Sequence, residues 1–523
     1  MLKRWLFLCV LSTAINCAEN PELSEKNDEF QGQSAALWFT QAVAGAFSAN
    51  PDIYELIPLR LKSSSNLLRL DVEINGQSYP STYLGHEGWL ANINIADLSD
   101  GSYTVRAIAD SKSGPLESSA ELLISRQGSQ LTDFETVGFA GAPTLHRRNQ
   151  KLMVTWTDRS ATKAEAWLQE IDGAGRWLGE PISLVNAEQE TLYARTAFGD
   201  DSIGILYQEN GGPYLNYFKV VDFDGKEIVP AMALEEPGYQ GSYGGDIKFS
   251  NGHYFVIWRS NNGPEDSSIH WMKFATDTFT KTGPLKVASA GPGTAVQPDG
   301  TFLPISKMSL AVHDETSLVS FVRSYWHPWL AMKIDKAQVI TLSATGNIEE
   351  EIYNGGSIAL TYAHESRIFH NGENFISLWS EVDLNAPQDN GDETIFKAER
   401  YSKFGRRTNN LSGPSTLLQA PGHRAEPYLV NRPEQPSILA WTDNRSTKED
   451  LLEGRIELFA APLSSQLNLG EEVVVPHARF IEGTSHLQGQ AQDTNVLLTW
   501  IDQRHGSGLF DPKPELWFET LWY

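Results

Sequence analysis

SILAWTDNRS, residues 437–446, has two counterparts in the chain, LMVTWTDRS at 152–160 and VLLTWIDQR at 496–504. In each, a short apolar run ends in tryptophan and is followed by an acid and a base. YFVIW (254–258) and FISLW (375–379) keep the run and its tryptophan but lack the Asp-Arg tail. A short apolar run closed by polar residues reads as a buried strand. Trp156, Trp258, Trp379, Trp441 and Trp500 are separated by 102, 121, 62 and 59 residues, so the first two intervals are about twice the last two. Degenerate copies are therefore expected halfway along the long intervals. SIGILYQ supplies Tyr207 there, and SLVSFVR supplies Val322.

A second marker keeps the same period. Gly175, Gly225, Gly283, Gly346, Gly405 and Gly470 follow the anchors at lags of 18 to 29 residues. Each unit then reads as strand, tight turn, anchor strand, variable loop, third strand, glycine turn, fourth strand. Four strands repeated at this spacing are the signature of a β-propeller blade. The last unit ends at ELWFETLWY without a glycine turn or fourth strand. An open array would leave a bare edge, so TDFETVGFAG (132–141), just ahead of the first unit, is expected to supply the missing strand. A seven-bladed β-propeller over 131–523 is the result.

The Asp-Arg tails (Asp158/Arg159, Asp443/Arg445, Asp502/Arg504) follow the repeat, and one active site rarely needs three copies around a ring. They read as scaffold, with tryptophan packing between units and the polar pair fixing the turn. The repeats resemble the tandem W-x-D-x-R propeller units of exported bacterial proteins. The sialidase Asp-box and the WD and kelch signatures are absent from the sequence.

Residues 50–127 have another character. LRLDVEINGQSY, GWLANINIA and DGSYTVRAIAD are alternating runs broken at Asn75-Gly76 and Asp100-Gly101, a β-sandwich pattern. The NG turn, Trp89 and the stretch Leu98 to Ala107 (L-x-D-G-x-Y-T-V-x-A) resemble bacterial Ig-like domains. That resemblance implies a spacer or adhesive module, with Tyr103 as a corner residue. The expected fold class is all-β: an N-terminal Ig-like β-sandwich plus a C-terminal seven-bladed β-propeller.

The first 17 residues, with Lys3 and Arg4 ahead of an apolar run, read as an export signal. Cys17 closes that run as in the lipobox, which the segment resembles; this implies a lipid-anchored envelope protein with Cys17 as the lipid attachment site. Cleavage after Ala18 to give a free secreted product is the alternative. Residues 18–49 are too polar to bury a core and are expected to form a disordered stalk. With at most one cysteine left after processing, no intramolecular disulfide forms. The 523-residue chain carries a formal net charge of −25, which repels phosphate backbones and argues against nucleic acid as a partner.

If repetition marks scaffold, function belongs where repetition fails, in the long aromatic segments of units two to five. Tyr239, Tyr243, Tyr325, Trp326 and Trp329 are candidates for stacking on sugar rings. Arg323, Tyr325, His327, His364 and His370 have the types needed for acid–base cleavage of a polysaccharide, by fold-level analogy with propeller lyases. Asp383, Asn385, Asp389, Asp392 and Glu393 are hard oxygen donors suited to calcium, without EF-hand spacing. A solvated acidic loop is the simpler reading, and no cofactor is expected. The expected function is an exported, lipid-anchored envelope protein whose propeller binds a glycan or a protein. A secreted polysaccharide lyase or glycoside hydrolase is the alternative.

Overall fold

The computed structural model describes residues 36–132, 139–148, 151–159, 164–185, 191–209, 214–235, 240–261, 267–290, 305–327, 332–354, 361–383, 394–408, 414–419, 424–432, 435–443, 456–480, 486–502 and 515–523. The protein is all-β. Among the described residues a single 3-10 turn, Gly85–Glu87, is the only helical element. No helix there is long and apolar enough to cross a membrane.

Two sheets make the N-terminal unit. One orders Leu37–Phe39, Leu56–Ser63, Trp89–Asn94 and Thr82–Tyr83; the other orders Ala46–Ala49, Gly114–Ile124, Gly101–Ser111, Leu67–Ile74 and Gln77–Pro80. Their inward residues, including Phe47, Ile57, Leu59, Val72, Ile93, Val105 and Leu122, form one core. Asn75 and Gly76 both take positive φ (51° and 79°), the conformation a tight hairpin demands and Asn-Gly supplies. Tyr103 donates its hydroxyl proton to the Ser99 carbonyl at 3.0 Å, the corner bond foreseen for it. The stalk expected over 18–49 differs from this arrangement. Leu37–Phe39 and Ala46–Ala49 are strands whose apolar residues complete the sandwich core.

Seven four-stranded sheets follow among the described residues, arranged as a propeller. The first strands of successive sheets touch one another in order, from Phe139–Arg148 and Thr191–Phe198 round to Gln488–Ala491, which returns to touch Phe139–Arg148. That closed ring puts the first strands around the axis. The last sheet is completed by Ser129–Gln130 pairing with Glu515–Trp522, and the Leu131 amide extends the contact to the Leu516 carbonyl at 2.7 Å. The closing strand therefore lies a few residues ahead of the expected 132–141 segment, of which Phe139–Gly141 instead joins the first sheet.

Each anchor packs against the sheet before it. Trp441 lies among Ile376, Leu378 and Ala398 of the preceding sheet, Trp500 among Val430 and Ala460, and Trp156 among Leu497, Leu516 and Phe518 across the closure. The acid two residues on accepts the anchor's indole N–H: Trp500 Nε1 to Asp502 at 3.1 Å, Trp441 Nε1 to Asp443 at 3.5 Å. Glu381 does the same for Trp379 at 2.7 Å. So W-x-D is a pin within one sheet. Among the described residues, Trp156 Nε1 and Asp158 Oδ1 of the first sheet are both buried without a partner, and burial, helped by Glu165, pushes Asp158 up to about 6. The partner arginines 159, 445 and 504 have no described side chains.

Glycine turns wedge sheet onto sheet. Gly405 has φ 76°, and a Cβ there would meet Thr341 Cγ2 of the preceding sheet at 2.3 Å. Positive φ and close approach both require glycine.

The sandwich is docked across the seam where the ring closes. Trp522, from the last sheet, enters the sandwich core, meets Phe47 edge-on at 5.9 Å and donates to the Ser48 carbonyl at 3.1 Å. Arg60 pairs with Asp493 of the last sheet at 2.6 Å, and Glu121 with Arg176 of the first at 2.6 Å.

Candidate functional site

One register position links the first strands. Arg195, Asp246 and Arg367 pair across the ladder with Leu206, Ile257 and Leu378, each the residue before an anchor. Tyr428 pairs with Ala440, before Trp441. Thr144 and Gln488 hold the same register in the first and last sheets, opposite Thr155 and Thr499. The scaffold thus lifts six different polar side chains to one level of the axis.

Next to this register, first strands carry bulges, between Ser242 and Gly245, Ala363 and Glu365, and Ala425 and Tyr428 among others. A bulge leaves one residue unpaired and re-aims its neighbours. Backbone amides along the first strands are taken by side chains from adjacent ones. Asp246 Oδ2 accepts the Leu310 N–H at 2.9 Å, Ser309 Oγ that of Ile368 at 3.2 Å, Glu365 that of Glu426, and Glu426 Oε2 that of His486 at 2.8 Å. Glu426 sits at φ 51° in the third of these bulges. These bonds strap sheets three to seven together around the axis, and they occupy the carboxylates.

The arginines are held differently. Arg367 Nε binds Glu365 Oε1 at 2.9 Å; burial draws its pKa down, but Glu365, Glu426 and Asp246 outweigh that and hold it above the usual value. Arg195 makes no hydrogen bond or ion pair among the described residues. Burial, reinforced by repulsion from Arg367, lowers its pKa against the pull of Asp246, Tyr193 and Glu426. Arg195 and Arg367 thus hold the same register in the second and fifth sheets, and Arg195 has no direct partner among the described residues.

Two phenols border them. Burial pushes Tyr428 up to about 12 and Tyr193 higher still, so both stay protonated near neutral pH and can donate hydrogen bonds. Tyr193 donates to Asn216 Oδ1 at 3.0 Å, and Asn216 in turn donates from its amide and backbone to Glu235 at 2.6 Å each. Burial still pushes Glu235 up to about 7, against those hydrogen bonds. A carboxyl that keeps its proton near neutral pH thus lies at the edge of the cluster.

Of the residues expected from sequence, Tyr243 and His364 lie in bulges beside the axial register. Tyr325, Trp326 and His327 are not loop tips: they continue the strand Thr316–His327, paired with Ile334, Lys333 and Met332. Their side chains, and Trp329 altogether, lie outside the described residues, as does Tyr239. Tyr243 is in the bulge of Gln240–Ser250 and His364 in that of Thr361–His370, again without described side chains. His370 is six residues from His364 on one strand, roughly 20 Å at the usual rise. It stacks on His313 at 4.0 Å, and burial, with His313 adding to it, lowers its pKa to about 4. Arg323 is buried, donates to the Ser289 carbonyl at 3.3 Å and covers Phe321. Extended strand geometry thus separates His370 from His364, and Arg323 is tied to Ser289 and Glu351, its Nε buried without a partner among the described residues.

Asp383 ends the strand Asn374–Asp383; Asn385, Asp389, Asp392 and Glu393 lie outside the described residues, as does Cys17. No group of three or more metal-binding side chains occurs among the described residues. The axial residues were missed because each unit carries a different one. A signal was present, since Thr144, Arg195, Asp246, Arg367 and Gln488 all lie twelve residues before their anchors and Tyr428 thirteen.

No protein-family model matches the chain, and no curated protein matches it in sequence. Solved structures do. An α-L-arabinanase of Penicillium chrysogenum, complexed with arabinobiose, is 10% identical over 64% of this chain and 93% of its own, at TM-score 0.41. The polysaccharide lyase Uly1 is 10% identical over 70% and 84%, at TM-score 0.38. The β-propeller domain of the Trilobed protease of Pyrococcus furiosus is 9% identical over 73% and 97%, at TM-score 0.37. At these TM-scores the likenesses carry no inference about the chemistry of this chain.

Proposed function

We propose that the protein is an exported, lipid-anchored seven-bladed propeller, braced by an Ig-like sandwich, that binds an acidic glycan at its axis. The observation carrying the reading is Arg195, which shares an axial register with Arg367 and makes no hydrogen bond or ion pair among the described residues. An anionic group seated beside it supplies that partner. Guanidinium groups take carboxylate or sulfate in bidentate fashion. The protonated Tyr428 adds a donor for a sugar hydroxyl. Calorimetric titration of the full chain with uronate oligosaccharides tests this. Binding is expected in the wild type and weakened in Arg195→Gln; equal binding by both would refute the site.

Cleavage of the bound glycan is a second reading, favoured by Glu235. A carboxyl with its pKa near 7 has the property a general acid needs. Under that reading Glu235→Gln abolishes release of reducing ends from a uronate polymer while leaving binding intact. Turnover equal to wild type in that variant removes the cleavage reading and leaves the binding one.

A further inference from the structure

We propose that the N-terminal sandwich carries a second glycan site, a cleft on the sheet that ends at Thr82–Tyr83, which takes the chain of an acidic polysaccharide. It rests on the sandwich's own geometry and not on the axial site. The cleft has a volume of about 650 Å³, within the range of small-molecule sites. Trp38, Tyr83 and Trp89 supply aromatic surface, with Lys62, Asn66 and His86 among the polar lining. Tyr83 and Trp89 are directly paired across neighbouring strands, their rings 5.2 Å apart, and Tyr83 is 61% exposed. Trp38 is paired with Lys62 on adjoining strands, on the sheet face opposite to Trp89, whose partner is Leu61, so the cleft takes residues from both faces at the end of the sheet.

The wall is built, not incidental. Gly85 and Gly88 both take positive φ, and the Leu84 N–H binds the Gly88 carbonyl at 2.7 Å, closing the turn that carries His86. A Cβ on Gly88 would meet the Leu61 carbonyl oxygen at 2.4 Å, so only glycine lets this turn lie against the strand bearing Lys62.

Charge selects the ligand class. The chain has 66 acidic residues against 41 basic ones. Yet none of the twelve residues lining the cleft is acidic. The neighbouring Glu87 is paired with Arg60 at 3.0 Å, outside the lining. An aromatic floor with a cation and amide and hydroxyl donors suits sugar rings bearing carboxylate or sulfate groups. Docked on the propeller by Trp522, the sandwich would hold one stretch of polymer while the axis holds another.

The test is binding of the full chain to polygalacturonate, alginate and chondroitin sulfate, with dextran as the neutral control. Tyr83→Ala and Lys62→Glu are each expected to weaken binding of at least one acidic polymer by about tenfold at an unchanged thermal midpoint. In an Arg195→Gln background residual polymer binding should persist, and adding Tyr83→Ala should remove it. The proposal is overturned if both cleft variants bind as wild type, if dextran binds as well as the acidic polymers, or if the wild type binds none of them. It also fails if Arg195→Gln alone abolishes all polymer binding, a result that leaves the axial site standing.

Discussion

The anchor strands and the first strands of the propeller obey opposite rules. At the anchor position one solution recurs in most sheets: a ring buried against the preceding sheet, with the indole N–H of Trp379, Trp441 and Trp500 pinned by the carboxylate two residues on. Twelve residues earlier, on the strand facing the axis, nearly every unit differs, with Thr144, Arg195, Asp246, Arg367, Tyr428 and Gln488 at one level. The anchor must satisfy the same packing in every sheet. The axial side chains meet one another, so each is free to differ and together they compose one surface. Repetition specifies the wheel, and its breakdown at the hub specifies what the hub holds.

This contrast has measurable consequences. Trp500 is fully buried between the last two sheets, so Trp500→Ala should lower stability by about 3–5 kcal/mol, read by denaturant titration. A loss under 1 kcal/mol would mean the anchors are not what joins the sheets. Gly405→Ala sets a Cβ against Thr341 at positive φ and should cost about 1–3 kcal/mol, checked the same way. Asp502→Ala leaves the buried Trp500 indole N–H unpaired, about 1–3 kcal/mol, with a smaller loss in Asp502→Asn, whose amide oxygen still accepts.

A finer effect concerns pH. Burial raises Glu235 from its ordinary value near 4.5 to about 7 in the folded protein. The fold therefore favours the protonated form. The stability this group contributes is full below pH 4.5 and is lost as pH rises through 7. His370, lowered to about 4, acts oppositely, and its contribution fades as pH falls from 6.5 towards 4. Glu235→Gln should thus flatten the decline in melting temperature between pH 5 and 8 while leaving the acid limb alone. An unaltered slope in that window would show that Glu235 titrates normally.

What the sequence disclosed divides along the same line. Trp441, Trp500 and the glycine turns were readable because packing demands recur at fixed spacing, and Asn75-Gly76 because a tight hairpin needs positive φ. The axial cluster was hidden by bulges that break the two-residue strand alternation, as at Glu426, and by repeating a residue type only at Arg195 and Arg367. Tyr325 and Trp326 drew notice as an aromatic loop, although Thr316–His327 runs on as a paired strand. Leu37–Phe39 was obscured by its polar surroundings and is fixed by contacts distant in sequence, such as Phe39 with Phe47.

The most direct test of the hub as a binding surface is the thermal midpoint of ligand-free Arg195→Gln, followed by titration of the same sample with uronate oligosaccharides. Removing a cation that has no direct partner among the described residues should leave the midpoint unchanged or slightly higher, and binding should weaken. A clear fall in the midpoint, like those of the anchor variants, together with wild-type binding, would make Arg195 scaffold and contradict the account.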